Sequence, residues 1–332
     1  MKNKVIILKS RPVGKPTQDD FGFTEETMPE AQDGEVLLKI KYVSVDPYLR
    51  GRMRDEKSYI EPFKVNEPLE SGIIAEVVES KNKNFKKGEY VNGMLKWKQF
   101  QTSNGNGLNK VDRNKAPLKA YLGVLGLTGI TAYLGLEKIG NLKKGETLLV
   151  SGAAGAVGSV VGQIGKIKGW KVVGIAGSEE KTNRIQEEFG FDKAINYKTT
   201  DNMYKAIADA CPNGVDVYFD NVGGEILDAA LANMNKYGRV VCCGAISLYN
   251  ETKTPKGPRV ETKLIKNSLL MQGFTVRDFV KDFGPAQKQL AKWMEEDKIK
   301  YLETIVEGFD NIPKAFIDLF DGKNKGKMIV AV

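Results

Sequence analysis

Residues 147–168 read TLLVSGAAGAVGSVVGQIGKIK, and the pattern of this stretch decides the fold. Residues 147–151 are an apolar, β-branched run, a glycine-rich turn follows, and Val157, Val160, Val161, Ile164 and Ile167 then recur at helical spacing. The order is strand, tight turn, helix. A helix that begins in this way offers unpaired backbone N–H groups and the positive end of its dipole, which suits a pyrophosphate. Gly155 lets the backbone approach the phosphates, and Gly158 lets the helix pack closely on the strand. Ala153 stands where the first glycine of the usual GxGxxG falls. An ordinary strand-to-helix turn is the competing reading, and placement between a strand and an amphipathic helix favours dinucleotide binding.

Working outward, residues 171–176, 193–197, 215–220, 239–244 and 269–275 are further strand candidates with helices fitting between them. Alternating strands and helices imply a doubly wound parallel sheet of the α/β class. Residues 1 to about 125 differ: 4–9, 35–43, 72–79 and 89–92 are short strand-like runs separated by Pro, Gly, Asn and Asp. From about Pro285 the sequence predicts a helix, a short strand near Ile305, a helix over 312–320 and a final strand over 327–332 that returns to the first domain. Residues 120–136, uncharged and glycine-rich, are expected to form one buried helical segment, too polar for a membrane span. Only residues 5–8 follow the basic start as apolar, so a signal peptide is not expected, and a cytoplasmic protein is.

The chain has 332 residues, 50 Lys plus Arg against 42 Asp plus Glu, three cysteines and no histidine. Its length makes two domains the expectation. The lysines are scattered among acids, so the positive balance reads as solvated surface, without the continuous basic stripe that nucleic-acid binding uses. Three cysteines, two of them adjacent, do not make a disulfide scaffold. Without histidine, Ser-His-Asp chemistry and mixed Cys/His zinc sites are excluded, and proton transfer falls to Tyr, Lys, carboxylates, cofactor hydroxyls or water.

Ligands of open parallel sheets bind beyond the carboxyl ends of the strands. After the second strand comes GSEEK, residues 177–181, where Ser178 can cap the next helix. An acidic residue that would hold ribose hydroxyls is absent from that strand end, while Lys181 in the first helical turn opposes the dipole unless an anion sits there. A lysine reaching for water is the alternative. The Tyr197 hydroxyl is placed to reach the same phosphate. Asn221, in DNVGG, offers a donor and an acceptor to ribose or amide, or serves the turn before two glycines. Tyr249, after the fifth strand, reads from its position as a packing residue first, with an acid brought to the nicotinamide as the alternative.

The motifs AAGAVGSVVGQIGKIKG, DNVGGE, CGAISLY, VSVDPYLR and GLTGITAY resemble those of the medium-chain dehydrogenase/reductase superfamily. Within it they resemble the zinc-independent branch of prostaglandin reductases (leukotriene dehydrogenases) and alkenal or curcumin-type double-bond reductases, over essentially the whole chain. The resemblance implies a GroES-like catalytic domain, residues 1–125 completed by 290–332, and a Rossmann NADPH-binding domain, residues 126–289. It implies the pyrophosphate at Ala154, Gly155, Ala156 and Val157, and the 2′-phosphate at Lys181 and Tyr197. Asn221, the loop Cys243, Gly244, Ala245, Ile246, Ser247 and Tyr249, the segment Phe274, Thr275 and Val276, and Asn324 would line the cofactor. Tyr249 would lie near the substrate carbonyl, and Tyr48 and Arg50 on a loop facing the nicotinamide. The implied activity is NADPH-dependent reduction of the carbon–carbon double bond of enals and enones, with no metal and a homodimeric assembly. Quinone reduction within the same superfamily, or NADPH binding without turnover, are the alternatives.

Overall fold

The computed structural model describes residues 2–332 and divides into two compact units. The first contains residues up to Leu122, Glu303–Asn324 and Met328–Val332; the second contains Gly123–Leu302 and Lys325–Lys327.

In the first unit, strands β1 (Lys2–Leu8) and β2 (Phe21–Thr27) form an antiparallel hairpin. Strands β3 (Val36–Ser44), β4 (Glu70–Ser80), β5 (Tyr90–Lys96), β6 (Phe100–Ser103), β7 (Asn109–Val111), β14 (Glu303–Glu307) and β15 (Lys327–Ala331) build one sheet in the order β14-β15-β3-β4-β5-β7, with β6 also on β3. The last strand thus returns to this unit, Ile329 pairing antiparallel with Ser44. Alternating burial along β3 and β4 aims Val36, Leu38, Ile40, Ile73, Ala75 and Val77 at a core that also takes Trp97 and Phe316. Helices α1 (Leu49–Arg52) and α9 (Ile312–Phe320) complete the unit. Strands β2, β6 and β7 lie outside the sequence expectation. β6 and β7 are 4 and 3 residues long and β2 keeps only Phe21 buried, so none carries a clear apolar alternation.

In the second unit all six strands run parallel: β8 (Thr147–Ser151), β9 (Lys171–Ala176), β10 (Lys193–Asn196), β11 (Val215–Asp220), β12 (Met234–Cys242) and β13 (Leu270–Gly273), in the order β10-β9-β8-β11-β12-β13. Relative to β8 this is the order 3-2-1-4-5-6 of a doubly wound dinucleotide-binding sheet. Helices α2 (Leu127–Gly135), α3 (Gly158–Ile167), α4 (Glu179–Glu187), α5 (Met203–Ala210), α6 (Gly224–Ala232), α7 (Glu261–Asn267) and α8 (Phe283–Glu295) connect or cover the strands. Helix α8 and the chain up to Leu302 fall in this unit, whereas the sequence reading placed the boundary after 289.

One expectation is corrected. Residues 120–136 are not a single helix: a 3-10 turn, Leu118–Leu122, ends before a bend through residues 123–126, and α2 begins at Leu127. The bend folds onto the helix so tightly that a Cβ on Gly129 would stand 1.8 Å from the Val124 carbonyl oxygen. Among the described residues no helix is long and apolar enough to cross a membrane.

Candidate cofactor and active site

The carboxyl ends of β8 to β13 in the second unit carry most of the residues singled out by the sequence. At the end of β8 the chain turns at Gly152, whose φ of +59° is the left-handed conformation that glycine adopts without strain. Gly152 therefore does the turning that the usual motif gives to its first glycine, one position before Ala153. The Gly155 N–H donates to the Gly152 carbonyl at 2.9 Å. A Cβ on Gly158 would stand 2.4 Å from that carbonyl oxygen and 2.9 Å from Ala153 Cα, so the first residue of α3 has to be glycine for the turn to close. Further along α3, a Cβ on Gly162 would fall 1.8 Å from the Phe191 ring. Ala154, Gly155, Ala156 and Val157 form the turn before α3, as a pyrophosphate cradle needs.

After β9, the Ser178 hydroxyl caps α4 by accepting the Lys181 N–H at 3.2 Å. Lys181 is half-buried, and burial, with Lys198 and Lys325 adding repulsion against the pull of Glu180, lowers its ammonium pKa below the usual 10.5. Tyr197 follows β10, donates its N–H to the Ala176 carbonyl at 3.1 Å, and lays its ring and hydroxyl over Gly177, within 3.0 Å of where a Cβ would be. Lys181 and Tyr197 thus flank the same strand end.

The third segment is held by Asp220, only 2% exposed at the end of β11. Its Oδ1 accepts four hydrogen bonds: from Ser151 Oγ at 3.0 Å, the Tyr218 hydroxyl at 2.7 Å, and the Val222 and Gly223 N–H groups at 2.9 Å each. Asn221 donates its N–H to Ser151 Oγ at 2.9 Å and its side-chain amide to the Ser151 carbonyl at 2.8 Å. Ser151 and Asp220 therefore lock the DNVGG turn against the glycine turn, with Asn221 Cβ beside Gly152. Sequence reasoning assigned neither a role. The signal was present: an Asp closing a buried strand two residues before a free N–H is an Asx turn.

The fourth segment packs on the third. Cys243 and Gly244 donate their N–H groups to the Asp220 carbonyl, and Ile246 and Ser247 donate theirs to Asn221 and Val222. The Tyr249 hydroxyl accepts the Ala245 N–H at 3.1 Å, which fixes the phenol over its own loop. Burial pushes the Cys243 thiol up to about 12, and those of Cys211 and Cys242 to about 11, so all three stay protonated at neutral pH. After β13, the Phe274 ring packs against Gly135, and Thr275 caps the following 3-10 turn through Asp278, which starts at Val276.

Three of the sequence candidates, Tyr48, Arg50 and Asn324, belong to the first unit. Tyr48, just before α1, is half-buried against that unit's core. Arg50 is 2% exposed, and its guanidinium donates to the Gly14 carbonyl at 2.9 Å and the Pro12 carbonyl at 3.1 Å. Arg50, expected on a loop facing the nicotinamide, uses its guanidinium to pin the residue 12–14 turn. Asn324 precedes the segment Lys325–Lys327 that returns to the second unit.

A parallel sheet with a glycine turn, a capped lysine helix and a polar crest at its strand ends is the arrangement of a dinucleotide-binding domain. Residues 4–111 match the family described as the N-terminal domain of oxidoreductase, and residues 156–294 the family described as zinc-binding dehydrogenase. A putative NADP-dependent oxidoreductase of Bacillus subtilis is 55% identical over 98% of this chain and 97% of its own. An NADP(+)-dependent 2-alkenal reductase of Nicotiana tabacum is 39% identical over 100% and 98%. Among solved structures, CurA of Vibrio vulnificus in complex with NADPH superposes with a TM-score of 0.94 at 41% identity, covering 99% of each chain. The chain belongs to the zinc-independent reductase branch of the medium-chain dehydrogenase/reductase superfamily. Among the described residues no group of histidine, cysteine or carboxylate side chains is arranged to hold a metal.

Proposed function

We propose that this protein reduces the carbon–carbon double bond of α,β-unsaturated aldehydes and ketones with NADPH. The observation that carries the reading is the Tyr249 hydroxyl fixed by the Ala245 N–H, on a loop bonded through Asp220 to the glycine turn. The residues fit the cofactor: Gly152 turns the chain with a φ of +59°, Gly158 lets α3 close on that turn where a Cβ would meet the Gly152 carbonyl, and Lys181 is a half-buried cation at the neighbouring strand end. When bound, NADPH supplies a hydride.

The chain's part is to hold and to stabilise. The turn at residues 154–157 and the start of α3 bind the pyrophosphate through backbone N–H groups, and Lys181 with Tyr197 binds the 2′-phosphate. Asn221, residues 243–249, residues 274–276 and Asn324 are assigned to the remainder of the cofactor. As the β-carbon gains hydride, the π electron pair moves to the carbonyl oxygen, and a donor aimed there lowers the barrier. Tyr249 is that donor. Accepting the Ala245 N–H polarises its O–H and strengthens it in this role. Water then protonates the α-carbon, so histidine is not needed. Tyr48 is assigned to the loop facing the nicotinamide on the VSVDPYLR motif, and Arg50 to positioning of that loop.

Strand β13 is one of the two edges of the parallel sheet, with Leu270 51% exposed, and a homodimer is proposed, to be checked by sedimentation equilibrium. The activity is tested by following NADPH oxidation with short 2-alkenals, an aryl enone and a quinone. Enal and enone turnover supports the reading, and turnover of the quinone alone would replace it with quinone reduction.

A further inference from the structure

We infer that Lys325, tethered to the glycine turn and paired with Glu180, is a second cation of 2′-phosphate recognition, and that it makes an otherwise repulsive carboxylate compatible with NADPH. The inference rests on the NADPH reading above and deepens it.

Glu180 is the second residue of α4 and the immediate neighbour of Lys181. A carboxylate there repels a phosphate dianion unless a cation cancels it. Lys325 is that cation, its ammonium in contact with the Glu180 carboxylate. Its placement is built into the backbone. The Gly326 N–H donates to the Ala154 carbonyl at 2.9 Å, in a bridge between Gly326 and Gly155, so the segment lies along the proposed pyrophosphate cradle. Gly326 has φ +66°, and a Cβ there would stand 1.9 Å from the Leu302 carbonyl oxygen, so the approach requires glycine. Lys325, Glu180, Lys181, Arg184 and Ala154 line one small recess. Arg184 is engaged by Glu188 at 3.0 Å, which leaves Lys325 as the partner of Glu180 nearest in geometry.

Stability does not account for this pair. Both side chains are roughly half exposed, and such pairs add little to folding. A fixed charge balance beside Lys181 is what the tether achieves. Lys325 also repels Lys181, an arrangement that a bound anion turns from cost to gain.

The test is direct binding by calorimetry, with NADPH, NADH, adenosine 2′,5′-bisphosphate and adenosine 5′-monophosphate as probes. Lys325→Met should weaken the two 2′-phosphate probes about tenfold, the worth of one charge-assisted hydrogen bond, with the other two unchanged. Lys325→Arg should bind like the parent, and adding Glu180→Gln to Lys325→Met should recover part of the loss. Equal weakening of all four probes, or no weakening, overturns the inference, as does a double variant that binds NADPH no better than Lys325→Met. If the parent itself does not prefer NADPH to NADH, the NADPH reading fails. If the parent prefers NADPH and Lys325→Met keeps that preference, only the role of Lys325 fails.

Discussion

Replacing Asp220 by alanine tests how the candidate site is held together. Oδ1 accepts four donors, and the side chain is 2% exposed, so water cannot take its place without opening the strand end. The Ser151 and Tyr218 hydroxyls can rotate toward other acceptors, but the Val222 and Gly223 N–H groups are fixed by the turn. The orphaned Gly223 donor is buried and the Val222 donor partly so; at about 1–3 kcal/mol for the first and less for the second, a loss of about 1–5 kcal/mol is predicted. That is a large part of the roughly 5–15 kcal/mol by which a domain is usually stable. Urea unfolding monitored by tryptophan fluorescence measures it, and NADPH binding to the variant should weaken as Asn221 loses its seat. Asp220→Asn keeps an oxygen at Oδ1 and should lose markedly less. A loss below about 0.5 kcal/mol for Asp220→Ala, the range of surface substitutions, would show that the backbone alone sets the turn.

Lys181→Ala should weaken NADPH about tenfold to a hundredfold while sparing NADH, since a hydrogen bond to a charged group contributes roughly 1.5–3 kcal/mol; equal effects on both cofactors would refute the phosphate assignment. Because burial lowers the Lys181 pKa, the parent's preference for NADPH should be full below that pKa and fade as pH rises through it, in a window beneath 10.5 that titration of both affinities maps. Without nucleotide, Lys181 by itself would make stability rise with pH in that window, but the three buried thiols, raised from 9.0 to about 11 and 12, keep protons that the unfolded chain has released, so the net stability should fall as pH rises past about 9. Gly158→Ala forces a Cβ to within 2.4 Å of a backbone oxygen, which cannot rotate away. It should cost about 1–3 kcal/mol of stability, as overpacking does, and a thermal shift on adding NADPH should shrink with it. Tyr249→Phe removes the donor and orphans the Ala245 N–H; single-turnover hydride transfer should slow by up to ~10²–10⁴, and an unchanged rate would remove Tyr249 from the mechanism.

The glycine stretch made the second unit legible because three local signals agree at 147–168: a buried five-residue strand, a turn and an apolar helical stripe. Strands β8, β9 and β11 match their sequence bounds residue for residue, being mostly apolar and buried on both faces in the manner of a covered parallel sheet. Less was legible where structure depends on partners distant in sequence. The bend at residues 123–126 exists because Gly129 admits a carbonyl that no local pattern announces. Arg50 reads as a site residue from its motif, and only the fold shows its guanidinium on the 12–14 turn, 36 to 38 residues away. Asp220, Ser151 and Lys325 act through contacts spanning 69 to 145 residues, so their types were visible but their partners were not.

The central claim is that hydride reaches the carbon β to a carbonyl. It is tested by supplying NADPH deuterated at the transferred position with a short 2-alkenal, and locating the label by mass spectrometry and NMR. The account predicts the saturated aldehyde carrying one deuterium at the β-carbon. An allylic alcohol with deuterium at the carbonyl carbon, or label lost to NADP without reduced product, would contradict it.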